Sequence, residues 1–232
     1  MKSEQSLDKM WYLSKIGFFE FLPMDDLKIF SSYIDHQEIR KSNLIQTPET
    51  TKNGLFFVKE GAVRIYGINK DGRMFTHSLL GPYSTYGTLR SFSLGTENVY
   101  IETISDVHLC SVSEADFHVL LKEYPSLIYK AMELLSDRLR EREKMLEIIA
   151  TGSVREQMMH LLFSMADTYG KKGQSFVDIP FPLSHQEIAN MLGVTREAVS
   201  ANMRYLKDRG YICSAGRKTI KVNQQAIPSL TN

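Results

Sequence analysis

Arg196 and Glu197 open a stretch with helical spacing, where their side chains could hydrogen-bond to the edges of DNA bases. An arginine fork can donate to two acceptors of guanine, and a carboxylate can accept from the amino group of cytosine. Ser200 follows one turn later. The sequence therefore predicts base contacts by Arg196, Glu197 and Ser200, and contacts with the DNA backbone by Ser184, Thr195, Arg204, Lys207, Arg217 and Lys218.

Two short helices are predicted within residues 183–207, and they position all of these side chains except Arg217 and Lys218. Ser184 is a good N-cap residue and Glu187 completes a capping-box pattern, so a helix should begin at His185. Gly193 suits a left-handed turn, and Thr195 suits the cap of a second helix. In helix-turn-helix proteins the start of the second helix meets base edges in the major groove. The alternative is an ordinary helical hairpin with a polar face.

A small β-hairpin, or wing, is predicted after the second helix. Residues 211–213 and 219–222 have strand character, and Gly216, Arg217 and Lys218 form the turn between them. A structural hairpin could use any polar residues in its turn, whereas this turn is basic. The hairpin therefore favours phosphate contacts beside the helix-turn-helix.

Charge is distributed unevenly along the chain. The 232 residues together have a formal net charge of +1. Residues 151–232 carry 10 Lys and Arg against 6 Asp and Glu, a balance of +4, and residues 1–150 carry 18 against 21, a balance of −3. Because a positive field attracts phosphates, this asymmetry supports double-stranded DNA as the partner of the C-terminal part.

Composition argues against several classes of protein. A hydrophobic fraction of 43% is ordinary for a globular chain. No run approaches the roughly 18 apolar residues of a membrane span, and the polar N-terminus does not resemble a signal peptide, so we expect a cytoplasmic protein without a membrane partner. Cys110 and Cys213 are too few for a disulfide framework. No nucleophile with a nearby base, phosphate-binding glycine loop or metal-ligand spacing stands out, so we expect no enzymatic activity.

A β-rich region is predicted between short N-terminal helices, at residues 7–33 with a break at Pro23, and the helices that begin near Ser113. Asp71 and Gly72 suit a tight hairpin turn. Many short strands at this interval predict a barrel or roll. The predicted strands cover residues 37–40, 54–58, 62–66, 74–80, 100–104 and 108–111.

A long helix is predicted after Pro125, with apolar residues spaced by four and three positions over about three heptads. Charged residues surround this seam, which favours self-association over packing of the helix on its own roll alone. Arg142 would be the one charged residue on the seam. The predicted dimer interface consists of Ile128, Met132, Leu135, Leu139, Arg142, Leu146 and Ile149.

A roll, a long helix and a winged helix-turn-helix, in this order, resemble the cyclic-AMP receptor protein/FNR (Crp/Fnr) family of bacterial transcription regulators. The resemblance covers nearly the whole chain, and it rests on residues 57–63 with Asp71-Gly72 and on residues 186–188 with 193–199. It implies an α+β fold with a cyclic-nucleotide-binding-like β-roll and N-terminal helices at residues 1–124. A dimerisation helix at 125–150 and a winged helix-turn-helix DNA-binding domain at 151–232 would follow.

The resemblance also implies function. A homodimer would bind an inverted-repeat operator in double-stranded DNA, and RNA polymerase would be a further partner of an activator. By resemblance, residues equivalent to Arg196 and Glu197 read bases, usually with the help of a later arginine. This chain has Ala201 at the position where that arginine is common, so the family's usual operator sequence is not expected to apply.

Cyclic-nucleotide-binding members of the family use a Gly-Glu-Leu turn and an arginine about ten residues later. This chain has a Gly-Thr-Leu turn, and Asn98 at the position of the arginine. Burial of a cyclic phosphate without a cation would be costly, so we expect no cyclic nucleotide. The pocket in which an unidentified effector could act would involve Gly87, Thr88, Leu89, Arg90, Asn98 and Met132, of which Arg90 is the nearby cation.

Other cofactors of the family are also not expected. An iron-sulfur cluster needs clustered cysteines, which the chain lacks. Haem needs an axial ligand, and a lone histidine in a strand, such as His77 or His108, is more often structural. Cys110 could be a redox switch, but its apolar neighbours favour a buried residue. The alternative function is a ligand or redox sensor, with a small molecule, haem or a thiol, whose main activity lies in the roll.

Overall fold

The computed structural model describes residues 12–170, 175–215, 219–223 and 225–226. The chain divides into two compact units. The N-terminal unit comprises Met1–Gly67 and Leu79–Arg140, and the C-terminal unit comprises Ile68–Ser78 and Glu141–Asn232. No helix of the described ranges has the length and apolar character that a membrane crossing requires.

The helices lie at both ends of the N-terminal unit and through most of the C-terminal unit. They are α1 (Met24–Ser31), α2 (Glu114–Glu123), α3 (Ser126–Thr151), α4 (Val154–Tyr169), α5 (His185–Leu192) and α6 (Arg196–Asp208), with a short 3-10 helix at Pro48–Thr50.

The strands lie between α1 and α2 and around the last two helices. They are β1 (Asp35–Ile39), β2 (Leu44–Gln46), β3 (Gly54–Glu60), β4 (Val63–Ile68), β5 (Met74–Leu80), β6 (Thr85–Thr88), β7 (Tyr100–Thr103), β8 (Val107–Ser113), β9 (Phe176–Asp178), β10 (Ile212–Ala215) and β11 (Thr219–Asn223).

Two four-stranded sheets form the roll. Their strand orders are β1-β8-β3-β6 and β2-β7-β4-β5. One hydrophobic cluster joins Val58 and Leu109 of the first sheet to Ile65 and Ile101 of the second. The two sheets therefore pack face to face, and the predicted β-roll is confirmed.

The other face of the first sheet is covered by helices. Side chains alternate along a strand, so Phe57 points opposite to its neighbour Val58 and belongs to a second cluster. In that cluster the ring of Phe19 lies 5.0 Å from the ring of Phe57 and 5.3 Å from that of Phe30, measured between centroids. Leu127 of α3 is buried in the same cluster. The helices thus close the roll on the side away from the second sheet.

The C-terminal unit is built around α4, which packs against α5, α6 and β11. A three-stranded sheet with the order β10-β11-β9 completes it. In the predicted hairpin, Ile212 lies opposite Val222 in antiparallel register. The turn of this hairpin, with Gly216, Arg217 and Lys218, lies outside the described residues. A helix-turn-helix with a β-hairpin after it is therefore confirmed.

Three strands differ from the sequence-based expectation, since β2, β6 and β9 were not predicted. β2 and β9 have three residues each, which is too short for an alternating pattern to be visible. β6 reads Thr-Tyr-Gly-Thr, and a glycine weakens a strand signal. It is held by pairing with β3, in which Gly87 lies opposite Leu55. Long-range pairing rather than local preference therefore determines these strands.

Candidate functional site

The turn between α5 and α6 has the local geometry that the sequence predicts. The Ser184 hydroxyl accepts a hydrogen bond from the backbone N–H of Glu187 at 3.1 Å. Gly193 has a φ of 66°, in the left-handed region that favours glycine. The Thr195 hydroxyl accepts from the backbone N–H of Ala198 at 3.2 Å, which caps α6. These contacts set the direction in which α6 leaves the turn.

One side of α6 is buried and the other is polar. Val199, Met203 and Leu206 are buried against the rest of the unit. Within the part of the chain that the structure describes, no ion pair engages Arg196 or Glu197. The exposed side chains at the predicted DNA-contacting positions are Thr195, Arg196, Glu197, Arg204 and Lys207.

Ser200 differs from these positions because it is only half exposed and its hydroxyl is engaged. The hydroxyl donates to the main-chain oxygen of Arg196 at 2.9 Å. It also lies 2.8 Å from Nδ1 of His185, the first residue of α5. The sequence predicts His185 only as the first residue of a helix, without a role at the site. The contact joins the start of α5 to the exposed side of α6.

Aromatic and cationic side chains anchor α6 to α4. The guanidinium of Arg155 lies 3.6 Å from the centroid of the Tyr205 ring. The guanidinium of Arg209 lies 5.4 Å from the same centroid. Such cation–π contacts stabilise packing by about 0.5–1 kcal/mol at exposed sites. They hold the C-terminal half of α6 and leave its N-terminal turn exposed.

A row of exposed apolar side chains lies along α3. Leu139 is 59% exposed and Leu146 is 65% exposed, and together with their neighbours on α3 they form a contiguous apolar surface of the kind that marks an interaction site. Leu135 is partly buried against the roll core, and Arg142 is exposed. The exposed apolar residues of α3 are Ile128, Tyr129, Met132, Leu139, Leu146 and Ile149.

The opposite side of α3 faces the roll. Leu127 and Ala131 are buried, and Leu134 packs against the same cluster. Arg138 follows at the same spacing, and its guanidinium donates to the main-chain oxygens of Leu94, at 2.5 Å, and of Thr85. From the sequence alone, Arg138 is expected only among the charged residues that surround the seam. The regular spacing of buried positions, by four, three and four residues, was the signal that could have identified it.

The Gly87–Leu89 segment, which the sequence predicts as a turn, begins in strand β6 and is closely packed. A Cβ atom at Gly87 would lie 2.1 Å from the main-chain oxygen of Gly54, so β6 and β3 approach closely here. The Thr88 hydroxyl lies 2.9 Å from the hydroxyls of both Ser93 and Thr96. Leu89 is buried. The Thr88 hydroxyl is therefore already engaged by hydroxyls of the connection that follows β6.

The remaining predicted pocket residues lie at the surface. The Arg90 side chain is 87% exposed and lies 3.9 Å from the carboxylate of Glu114. Asn98 is exposed and has a left-handed φ of 55°. Met132 belongs to the exposed side of α3. The structure therefore does not bring Arg90, Asn98 and Met132 into one buried site with Thr88.

The two candidate haem ligands are surface residues. His77 lies edge-on to Phe75, with 5.4 Å between ring centroids, and burial followed by the charge of Arg142 lowers its pKa. His108 lies 3.6 Å from the carboxylate of Glu38 and 3.7 Å from that of Glu60. Among the described residues, no group of three or more His, Cys, Asp or Glu side chains could hold a metal ion.

Cys110 is buried in the second roll cluster, as the sequence predicts for an apolar residue. Its Sγ lies 3.3 Å from Nδ1 of His36 on the neighbouring strand. The thiol thus has a polar neighbour that the sequence did not indicate.

Two family models match the chain. The cyclic nucleotide-binding domain matches residues 36–124, and the Crp-like helix-turn-helix domain matches residues 156–226. The chain is 23% identical to the cyclic AMP receptor protein of Thermus thermophilus over 209 residues, which cover 90% of this chain and 93% of that protein.

A second curated regulator and a solved structure are also similar to the chain. The chain is 26% identical to the global nitrogen regulator of Synechocystis over 185 residues, which cover 79% of this chain and 82% of that protein. The structure of FixK2 from Bradyrhizobium japonicum shares its fold, with a TM-score of 0.73 and 22% identity, over 86% of this chain and 98% of that chain.

Proposed function

The chain belongs to the Crp/Fnr family of transcription regulators, and we propose that it acts as a homodimer that binds an inverted-repeat site in double-stranded DNA. The observation that carries the proposal is the exposed first turn of α6, with Arg196 and Glu197 outside any ion pair of the described residues. This end of the second helix enters the major groove in helix-turn-helix proteins. Arg196 would donate to guanine and Glu197 would accept from cytosine.

The exposed apolar row on α3 supports the dimer. Two copies of α3 would remove Leu139 and Leu146 from water, and a heptad seam of this kind pairs helices side by side. A two-fold dimer would place its two α6 helices about 34–36 Å apart, in successive major grooves. Arg142, on the same seam, would help to fix the register of the two helices.

The roll supports regulation without the effectors that are common in the family. Arg90 is exposed and paired with Glu114, so it would not offset the charge of a buried cyclic phosphate. The hydroxyls of Thr88, Ser93 and Thr96 already bond to one another. We therefore propose a regulator that uses no cyclic nucleotide, iron-sulfur cluster or haem. An effector of another chemistry would act by binding one arrangement of the dimer more tightly than another.

RNA polymerase would be a partner where the DNA site lies beside a promoter. Because the proposed ligand is DNA, the protein would act in the cytoplasm of a bacterial cell. The position of the site, rather than any residue of the chain, would decide between activation and repression.

Selection of bound duplexes from a random DNA pool tests the proposal. The full chain is purified, bound duplexes are sequenced, and the enriched duplex is titrated at two salt concentrations. We expect an inverted repeat, with an affinity that falls steeply as salt rises because phosphate contacts release counterions. Binding of all duplexes with equal affinity, or no binding, would contradict the proposed function.

A further inference from the structure

His185 and Ser200 form a short hydrogen-bond chain that ends on the backbone of α6. The Ser200 hydroxyl lies 2.9 Å from the main-chain oxygen of Arg196 and 2.8 Å from Nδ1 of His185. A carbonyl oxygen can only accept, and a serine hydroxyl has one proton to donate. Both contacts are hydrogen bonds only if Ser200 donates to Arg196 and accepts from Nδ1–H of His185.

These two hydrogen bonds fix the tautomer of the His185 imidazole. With the proton of the neutral ring on Nδ1, Nε2 carries a lone pair and can only accept. A phosphate oxygen also has only lone pairs. The neutral ring therefore cannot donate to a phosphate, whereas the protonated ring can donate from Nε2 while it keeps its bond to Ser200.

The surroundings of the ring are electropositive. Partial burial, followed by the charges of Lys207 and Arg196 on α6, lowers the pKa of His185 below its ordinary value of 6.5. On its own helix the nearest carboxylate is that of Glu187, which accepts a hydrogen bond from Thr76 within the same compact unit. The ring is therefore mostly neutral at pH 7 in the free protein. An anion brought between these cations would favour the protonated form.

We propose that His185 contacts a DNA phosphate through Nε2 and that this contact takes up one proton in each protomer. The inference rests on the proposed function, because it needs α5 and α6 to lie against DNA. It adds to that function a contact from the helix before the recognition helix. It also makes DNA affinity depend on pH near neutrality, because the proton is bound only in the complex.

Linkage gives the size of the effect. Uptake of one proton changes an affinity by up to about tenfold per pH unit, so two sites in a dimer give up to about a hundredfold. Affinity should fall as the pH rises from 5.5 to 8.0. If the neutral ring instead accepted a hydrogen bond from the amino group of a base, DNA affinity would not fall as the pH rises.

The test measures affinity by fluorescence anisotropy between pH 5.5 and 8.0 at constant salt, with the duplex enriched from the random pool as the probe. His185→Gln has an amide donor that does not titrate, so we expect most of the pH dependence to disappear. Ser200→Ala frees the neutral ring to carry its proton on Nε2, so a shallower dependence is expected although the histidine remains. His118→Gln, an exposed histidine of α2, is the control and should keep the wild-type dependence.

The outcomes separate this inference from the function on which it rests. If either His185→Gln or Ser200→Ala keeps the wild-type pH dependence, the inference is overturned, while specific binding in the same titration upholds the proposed function. If no duplex is enriched, the proposed function fails first. Because thermal melting monitors folding of each variant, a shallow slope in a folded Ser200→Ala protein supports the fixed tautomer rather than a general structural defect.

Discussion

The guanidinium of Arg138 on α3 donates a hydrogen bond to the main-chain oxygen of Leu94 at 2.5 Å. A second bond from the same side chain reaches the main-chain oxygen of Thr85. Leu94 lies in the connection between β6 and β7, and Thr85 begins β6. One arginine therefore links the long helix to β6 and to the connection that follows it in the roll.

Substitution Arg138→Met should lower the stability of the N-terminal unit. It leaves the carbonyl of Thr85 and that of Leu94 without this donor, and each unsatisfied buried group costs about 1–3 kcal/mol. Arg140→Met is the matched control, because Arg140 is exposed and paired with Asp137 on the helix surface. Urea unfolding measures the stability of both variants. Equal midpoints for the two variants would contradict the role of Arg138.

Substitution Leu139→Glu should give monomers that bind DNA weakly. It places a charge in the exposed apolar row of α3, where a second copy would have to bury it. Sedimentation velocity measures the mass. Val119→Glu changes another exposed apolar residue, on α2, and should leave the dimer intact. A Leu139→Glu protein that remains dimeric would move the interface to another surface.

Substitution Arg196→Ala should relax the preference for one base pair. A bidentate contact to guanine contributes about 1–3 kcal/mol of discrimination, whereas non-specific binding depends on phosphate contacts. Arg204 lies on the same exposed side of α6, and Arg204→Ala should instead lower the affinity for all duplexes alike. Competition titrations with single-base variants of the site measure both effects. A uniform loss for Arg196→Ala would remove it from the base contacts.

Two glycine substitutions should differ in severity. Alanine at Gly193 meets nothing within 4 Å, so its cost is the left-handed backbone alone, roughly 1–2 kcal/mol. Alanine at Gly87 would meet the main-chain oxygen of Gly54 at 2.1 Å, which forces β6 away from β3. We expect Gly87→Ala to lower the thermal midpoint more than Gly193→Ala does. The reverse order would show that the approach of the two strands is not tight.

His160 on α4 should make stability depend on pH. Burial, followed by the charge of Lys144, lowers its pKa in the folded state, and Glu141 opposes the shift. The unfolded chain therefore binds more protons below its ordinary pKa of 6.5, so stability should fall as the pH drops through 6.5 and level off below the folded pKa. His160→Gln should reduce this fall between pH 7.5 and 5.5 in urea unfolding, and His118→Gln is the comparison. An unchanged profile would exclude His160 as the source.

The local chemistry of the helix-turn-helix was readable from the sequence. Ser184, Gly193 and Thr195 have roles that depend on neighbours three or four positions away, so the prediction needed no tertiary information. β5 was predicted with its observed bounds for the same reason, because the turn at Asp71 and Gly72 fixes where the strand can begin.

Other features depend on residues that are distant in the sequence. Arg138 finds its partners 44 and 53 residues earlier, and no local pattern identifies a main-chain oxygen as a partner. The contact between Arg90 and Glu114 depends on the orientation of α2, which the sequence predicts as a helix but does not orient. The hydrogen bond between His185 and Ser200 depends on the angle between α5 and α6, which no local sequence pattern predicts. The basic turn of the hairpin, with Arg217 and Lys218, stays a prediction.

The left-handed backbone of Asn98 has a consequence for how this chain could evolve. Asparagine tolerates such a conformation, whereas an arginine there would cost roughly 1–2 kcal/mol before it met any ligand. A single mutation at that position would thus supply a guanidinium at the surface while weakening the fold. An arginine at this position would be accommodated more easily after a change that relaxes the left-handed backbone. The backbone at residue 98 therefore disfavours a longer cationic side chain there before any ligand is bound.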